Sequence, residues 1–193
     1  SLNPMKPLSG YGEAGFIVTN SKKIYSRILK LRHAGTVIDK KKKNMNLCYE
    51  VSLNHKIDNL NATLIIESLK NFKNKFQKIE KLSKIYEKNL PREVKLQKID
   101  KNKKDARYVF PVLVDKRDKL RDYLLYKGIE TKIFNKPLIP YAPAYKKINK
   151  KYNFPIAERI IKKNLILPCH EKMTEKDVFY VINQINKFYE KNN

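Results

Sequence analysis

The sequence predicts an α/β fold, and three observations carry that reading. A long amphipathic stripe runs from about Lys56 to Asn89, short apolar runs alternate with helical patterns after it, and a glycine-punctuated opening leads into a strand-like run at 16–20. In a chain of 193 residues this allows one or two domains with a proper core.

The elements follow in order. Gly10, Gly12 and Gly15 give the first twenty residues turn chemistry, and Phe16-Ile17-Val18-Thr19-Asn20 reads as a short strand. A short helix with Ile24, Ile28 and Leu31 on one face ends near Gly35. The segment 36–52 is polar and aperiodic and reads as a loop, with Lys40-Lys41-Lys42-Lys43 exposed. Ile57, Leu60, Leu64, Ile65, Leu69, Phe72, Phe76, Ile79, Leu82 and Tyr86 then recur at helical spacing until Pro91. Alone, that stripe also fits a coiled-coil seam; the compact alternation after Pro91 favours a helix connecting two domains.

Tyr108 to Val114 reads as a strand whose Pro111 suggests an edge or an irregularity. A helix from Asp118 to Lys127 stops at Gly128, and Ile129 to Phe134 is a second predicted strand. Three prolines make 135–153 a long loop, and Pro155 suits the first turn of a helix through Lys163. Leu165-Ile166-Leu167 is a short strand. Thr174 and Asp177 cap a final helix with Val178, Val181, Ile182, Ile185 and Phe188 inward. The organisation expected is 1–55 as the remainder of a larger domain, 56–90 as the connecting helix and 91–193 as a small α/β domain.

Composition bounds the function classes. The 43 basic and 19 acidic residues give a net charge of +24, which invites a nucleic-acid reading. Only seven of the basic residues are Arg, while Asn and Ile abound, a pattern that fits an A+T-rich coding bias and a solvated lysine surface. No zinc-finger spacing, RNP-like motif or recognition helix accompanies the charge, so nucleic acid is not the partner expected. With no long apolar run the chain reads as cytoplasmic, without a membrane partner. Cys48 and Cys169 lie far apart without a CxxC, so neither a disulfide framework nor a metal site is expected.

Ser1-Leu2-Asn3-Pro4-Met5-Lys6, followed by Gly10-Tyr11-Gly12-Glu13-Ala14-Gly15, resembles the cofactor-lysine segment of a pyridoxal-phosphate (PLP) enzyme. The likeness is to the sugar aminotransferases of the DegT/DnrJ/EryC1/StrS family. It continues through Leu31-Arg32-His33-Ala34-Gly35, the segment Asn54 to Ala62, Lys127 to Thr131, Pro143-Ala144-Tyr145, Ala157-Glu158, Leu167-Pro168 and Met173 to Val178, in the family's order. The resemblance implies the C-terminal part of a PLP-dependent transferase fold of the aspartate-aminotransferase type: the end of the large domain, a long connecting helix and a small domain.

The same resemblance implies that Lys6 is the Schiff-base and catalytic residue, that Ser1 bonds the PLP phosphate, and that Asn54 reaches the phosphate of a neighbouring subunit's cofactor in a homodimer. Lysine rather than His at position 6 points to transamination rather than dehydration. The expected reaction converts a keto sugar, commonly nucleotide-linked, to an amino sugar with glutamate as donor. Read without the family, Ser1 is a terminal polar residue, Lys6 one surface lysine among many, and Asn54 a helix start; the chain is then a non-catalytic remnant or interaction module, or a basic nucleic-acid binder.

Two departures bear on substrate. Where the family often continues with a His-containing, proline-rich segment, this chain has Lys132-Ile133-Phe134-Asn135-Lys136-Pro137, and Lys56 replaces a more usual Arg. His33 and His170 receive no role. The resemblance places the partners of the PLP ring in an N-terminal half outside these residues, so the chain is expected to be a fragment that is inactive alone.

Overall fold

The computed structural model describes residues 1–38, 46–100, 102–134, 137–145 and 153–191. They form two compact units, Ser1–Phe72 and Lys73–Asn193.

In the first unit, α1 (Lys22–Arg32) begins at Ser21, whose Oγ accepts the Ile24 N–H. The face shared by Ile24, Ile28 and Leu31 is only partly covered: Ile28 and Leu31 are half-buried while Ile24 is exposed. The predicted loop at 36–52 contains instead an antiparallel pair, β1 (Thr36–Ile38) with β2 (Asn46–Cys48), registered Thr36 to Cys48. Lys40–Lys43 lie outside the described residues. The predicted strand at 16–20 is unpaired among the described residues, and Phe16, Ile17 and Val18 are exposed. An extended apolar run becomes a strand only beside a hydrogen-bonding neighbour.

The long helix α2 spans Asn59–Asn89, with Pro91 just beyond its end. Only its C-terminal portion buries apolar side chains fully: Ile79, Leu82 and Tyr86. Leu82 and Tyr86 enter the core of the second unit.

That core sits on a three-stranded antiparallel sheet of order β3 (Lys95–Leu96), β4 (Phe110–Leu113), β5 (Asn164–Leu167). Phe110, Val112, Leu165 and Leu167 pack with Leu120 and Leu124 of α3 (Arg117–Tyr126) and with Val178, Val181, Ile182 and Ile185 of α5 (Glu175–Glu190). The Tyr86 ring lies 4.9 Å from Phe110, and its hydroxyl donates to the Pro168 carbonyl at 2.9 Å. Burial raises its pKa, so the phenol stays a donor.

Pro111 sits in the central strand, not at an edge. The sheet tolerates it because β3 ends at Leu96, which pairs with Val112, and because Pro111 faces Ile166, whose own backbone groups turn away to Lys132. The predicted strand 129–134 contracts to that single bridge, Lys132 to Ile166. Backbone groups of alternate residues point to opposite neighbours, so on the edge away from β4 the short β5 presents Asn164, whose carbonyl accepts from Arg117, and Ile166, which bridges Lys132.

Helix α4 (Pro155–Lys163) starts with proline, as its sequence predicts. Buried Arg117 holds its far end, an Nη donating to the carbonyls of Ile161 (3.2 Å) and Asn164 (3.0 Å). Its Nε lies 2.8 Å from the exposed Asp118 carboxylate as an ion pair without hydrogen-bond geometry. Helix α5 carries a full capping box: Thr174 Oγ1 accepts the Asp177 N–H, and an Asp177 carboxylate oxygen accepts from the Thr174 N–H at 2.7 Å. Among the described residues no helix is long and apolar enough to cross a membrane.

The cap makes a prediction. Thr174→Ala should cost about 1 kcal/mol in chemical denaturation. The Thr174 N–H and then its hydroxyl hold the Asp177 carboxyl below its usual range. A depressed folded-state pKa contributes stability that is full above the unfolded value, about 4, and is lost as pH falls through the lower folded value. The parent should therefore be more stable than Asp177→Asn at neutral pH, with the gap closing below about pH 4; a gap that widens in acid would show that the box is not formed.

Candidate active site

Ser1 and Lys6 belong to one irregular loop whose shape is set by its own backbone. The Leu2 N–H donates to Ala14 O and the Gly10 N–H to Leu2 O, each at 2.8 Å, and Leu2 is buried at their junction. Within the loop Asn3 makes an Asx turn: its Oδ1 accepts the Met5 N–H at 2.9 Å, and its carbonyl accepts the Lys6 N–H at 2.9 Å. Asn3 Nδ2 donates to Glu13 Oε1 at 2.5 Å. Lys6 is half-buried and Ser1 is exposed.

The loop is seated on the first turns of α2. Buried Asn61 accepts the Tyr11 N–H through Oδ1 at 3.0 Å, and its own N–H donates to Asp58 Oδ1 at 2.7 Å. Gly10 approaches so closely that a Cβ there would overlap Asn61 Oδ1 and stand 2.9 Å from Ile65 Cγ1. The sequence reading missed Asn61. Its one local signal was the Asp58-x-x-Asn61 spacing of a helix start.

Asn54 stands on a different anchor. It forms an isolated antiparallel bridge with His33, the residue that closes α1, and the His55 N–H donates to Arg32 O at 3.0 Å. Asn54 is exposed, and its Oδ1 accepts the Lys56 N–H at 3.3 Å. Nearby, Gly35 accepts from the amides of Tyr49 (2.9 Å) and Glu50 (3.3 Å). Its φ of +71° is left-handed, and a Cβ would overlap the Glu50 carbonyl oxygen. The structure thus brings Ser1 and Lys6 together on one loop and holds Asn54 at the end of α1.

In the second unit, Gly128 to Lys132 line a cavity of about 480 Å³ with His170, Asp177 and Tyr180. Thr131 Oγ1 is buried there without a partner in the structure. Asn135 and Lys136 lie outside the described residues. Cys48 and Cys169 are free thiols, and burial raises the pKa of Cys169. Among the described residues no group of His, Cys, Asp and Glu is arranged to hold a metal.

The model of the DegT/DnrJ/EryC1/StrS aminotransferase family matches residues 1–186. The chain is 28% identical to UDP-4-amino-4,6-dideoxy-N-acetyl-beta-L-altrosamine transaminase of Campylobacter jejuni (strain 81-176), over 99% of this chain and 52% of that protein. It is 26% identical to GDP-perosamine synthase of Escherichia coli O157:H7, over 92% and 48%. Among solved structures, S. venezuelae DesV in complex with a ketimine intermediate matches with a TM-score of 0.87 at 22% identity, over 97% of this chain and 50% of that one. A Brucella abortus family member gives 0.86 at 22%, over 97% and 49%. The chain spans about half the length of the curated relatives it matches.

The two close approaches differ in what they can yield. Gly35→Ala meets backbone at a left-handed φ and should destabilise the first unit by more than about 2 kcal/mol. Gly10→Ala meets side chains that can shift and should cost about 1 kcal/mol. Amide hydrogen exchange of α1 and the first turns of α2 reads both. Unchanged protection in Gly35→Ala would contradict the packing against Glu50.

Proposed function

The chain belongs to the DegT/DnrJ/EryC1/StrS aminotransferase family, a family of PLP-dependent enzymes, and on that premise we propose that it is the lysine-bearing half of a sugar aminotransferase. The whole protein converts a keto sugar, nucleotide-linked, to an amino sugar with glutamate as donor. It works as a homodimer, and these residues alone are inactive. The observation that carries the reading is the loop closed between Leu2 and Ala14, with Ser1 and Lys6 on one hydrogen-bonded backbone.

The donor set fits one end of the cofactor. Lys6 offers the amine that PLP's aldehyde requires, and the Ser1 hydroxyl suits its phosphate. Exposed Asn54 offers an amide that suits a phosphate held by a second subunit. PLP, when bound, supplies the electron sink that makes the substrate's C–H bond acidic. Lys6 Nζ would hold the cofactor's aldehyde and, once freed by the incoming amino donor, would take up and return the proton of the substrate. On this reading residues 1–55 complete the PLP domain, 56–90 connect, and 91–193 form the small domain.

Reductive trapping tests the assignment. Protein made by its native host, incubated with PLP and treated with borohydride, should carry a pyridoxyl adduct on the peptide containing Lys6. Lys6→Ala should lose that adduct and lower transamination more than about 100-fold. An adduct pattern unaffected by Lys6→Ala would remove Lys6 from the active site.

A further inference from the structure

We propose that Asn61 is a positioning residue for Lys6: its buried side-chain oxygen clamps the turn at Gly10–Tyr11 and so fixes the lysine loop against α2. The inference rests on the functional reading above. It goes beyond it because it assigns a task to a residue outside the set expected to hold the cofactor.

Three observations converge on Asn61. Its Oδ1 accepts the Tyr11 N–H at 3.0 Å, which also settles which side-chain atom is oxygen. A Cβ on Gly10 would overlap Asn61 Oδ1 unless that side chain shifted, so the turn packs closely against the amide. Asp58 Oδ1 accepts the Asn61 N–H, which fixes the backbone from which the amide projects.

The clamp reaches Lys6 through a short covalent and hydrogen-bonded path. Gly10 donates to Leu2 O, and this closes the loop on whose span Lys6 lies. Leu2 in turn is buried and donates to Ala14. The lysine loop is thus tied to α2 at the 10–11 turn. Removing the acceptor leaves the Tyr11 N–H unpaired and the turn free to shift, and small displacements of a reacting group cost rate steeply.

The test compares Asn61→Leu, which keeps the branching but is bulkier and removes the acceptor, with Asn61→Asp, which keeps an oxygen at the same place. Both are made in the protein as its host produces it. In Asn61→Leu the rate of borohydride-trapped labelling at Lys6 by PLP should fall at least about tenfold, and the Tyr11 amide should lose its protection from exchange. Asn61→Asp should recover most of both. Should Asn61→Leu fail to fold, Gly10→Ala crowds the same clamp from the loop side and should slow labelling likewise.

Labelling at Lys6 as fast in Asn61→Leu as in the parent would overturn the positioning role and leave the functional reading intact. Equal slowing in Asn61→Leu and Asn61→Asp would overturn it too, because the hydrogen bond would not be the cause. A parent that takes no adduct at Lys6 would overturn the functional reading, and the role of Asn61 with it.

Discussion

Burial of Leu82 and Tyr86 is the constraint from which the long helix takes its stability. A helix of 31 residues draws most of its stability from packing rather than propensity, and helix formation is cooperative, so a firmly packed end propagates order along the rest. Tyr86 is fully buried among β4, β5 and α5, with its hydroxyl on Pro168. The other end is fixed differently. Asp58 takes the Asn61 N–H, and Asn61 takes the Tyr11 N–H, so polar geometry does there what apolar burial does at the C-terminus.

Legibility followed the range of the interaction. Pro155 at the start of α4, the Thr174–Asp177 box and the five inward residues of α5 are decided within a turn or two of helix, and the sequence revealed them. Pairings between distant segments were hidden. The β1–β2 ladder joins residues that show no alternation, and β3 is two residues long. The strands expected at 16–20 and 129–134 have suitable side chains, but a strand also needs a neighbour in register. Ile24 shows the limit of periodicity: helical spacing marks a face, and only packing decides whether that face is covered.

The site was legible to different depths. Nothing in composition or spacing singles out Lys6 among its many lysines; the ordered family motifs did so. Asn61 could not be found that way, since its importance lies in a close approach by a glycine fifty-one positions earlier, a relation only three-dimensional structure displays. The family match establishes the fold and the cofactor chemistry, while the sugar and the amino donor stay with the proposal.

Pro111 has a consequence beyond its place in the ladder. Because β3 stops at Leu96, β4 has no ladder partner on that side before Val112 among the described residues. Growth by addition of an extended segment requires a donor from each alternate residue of the exposed strand. Pro111 has none to give, so an incoming chain from a second molecule would find a gap in its hydrogen-bonding template at the place where β3 stops. In a lysine-rich chain that already repels its own kind, the proline adds a local guard against edge-to-edge aggregation.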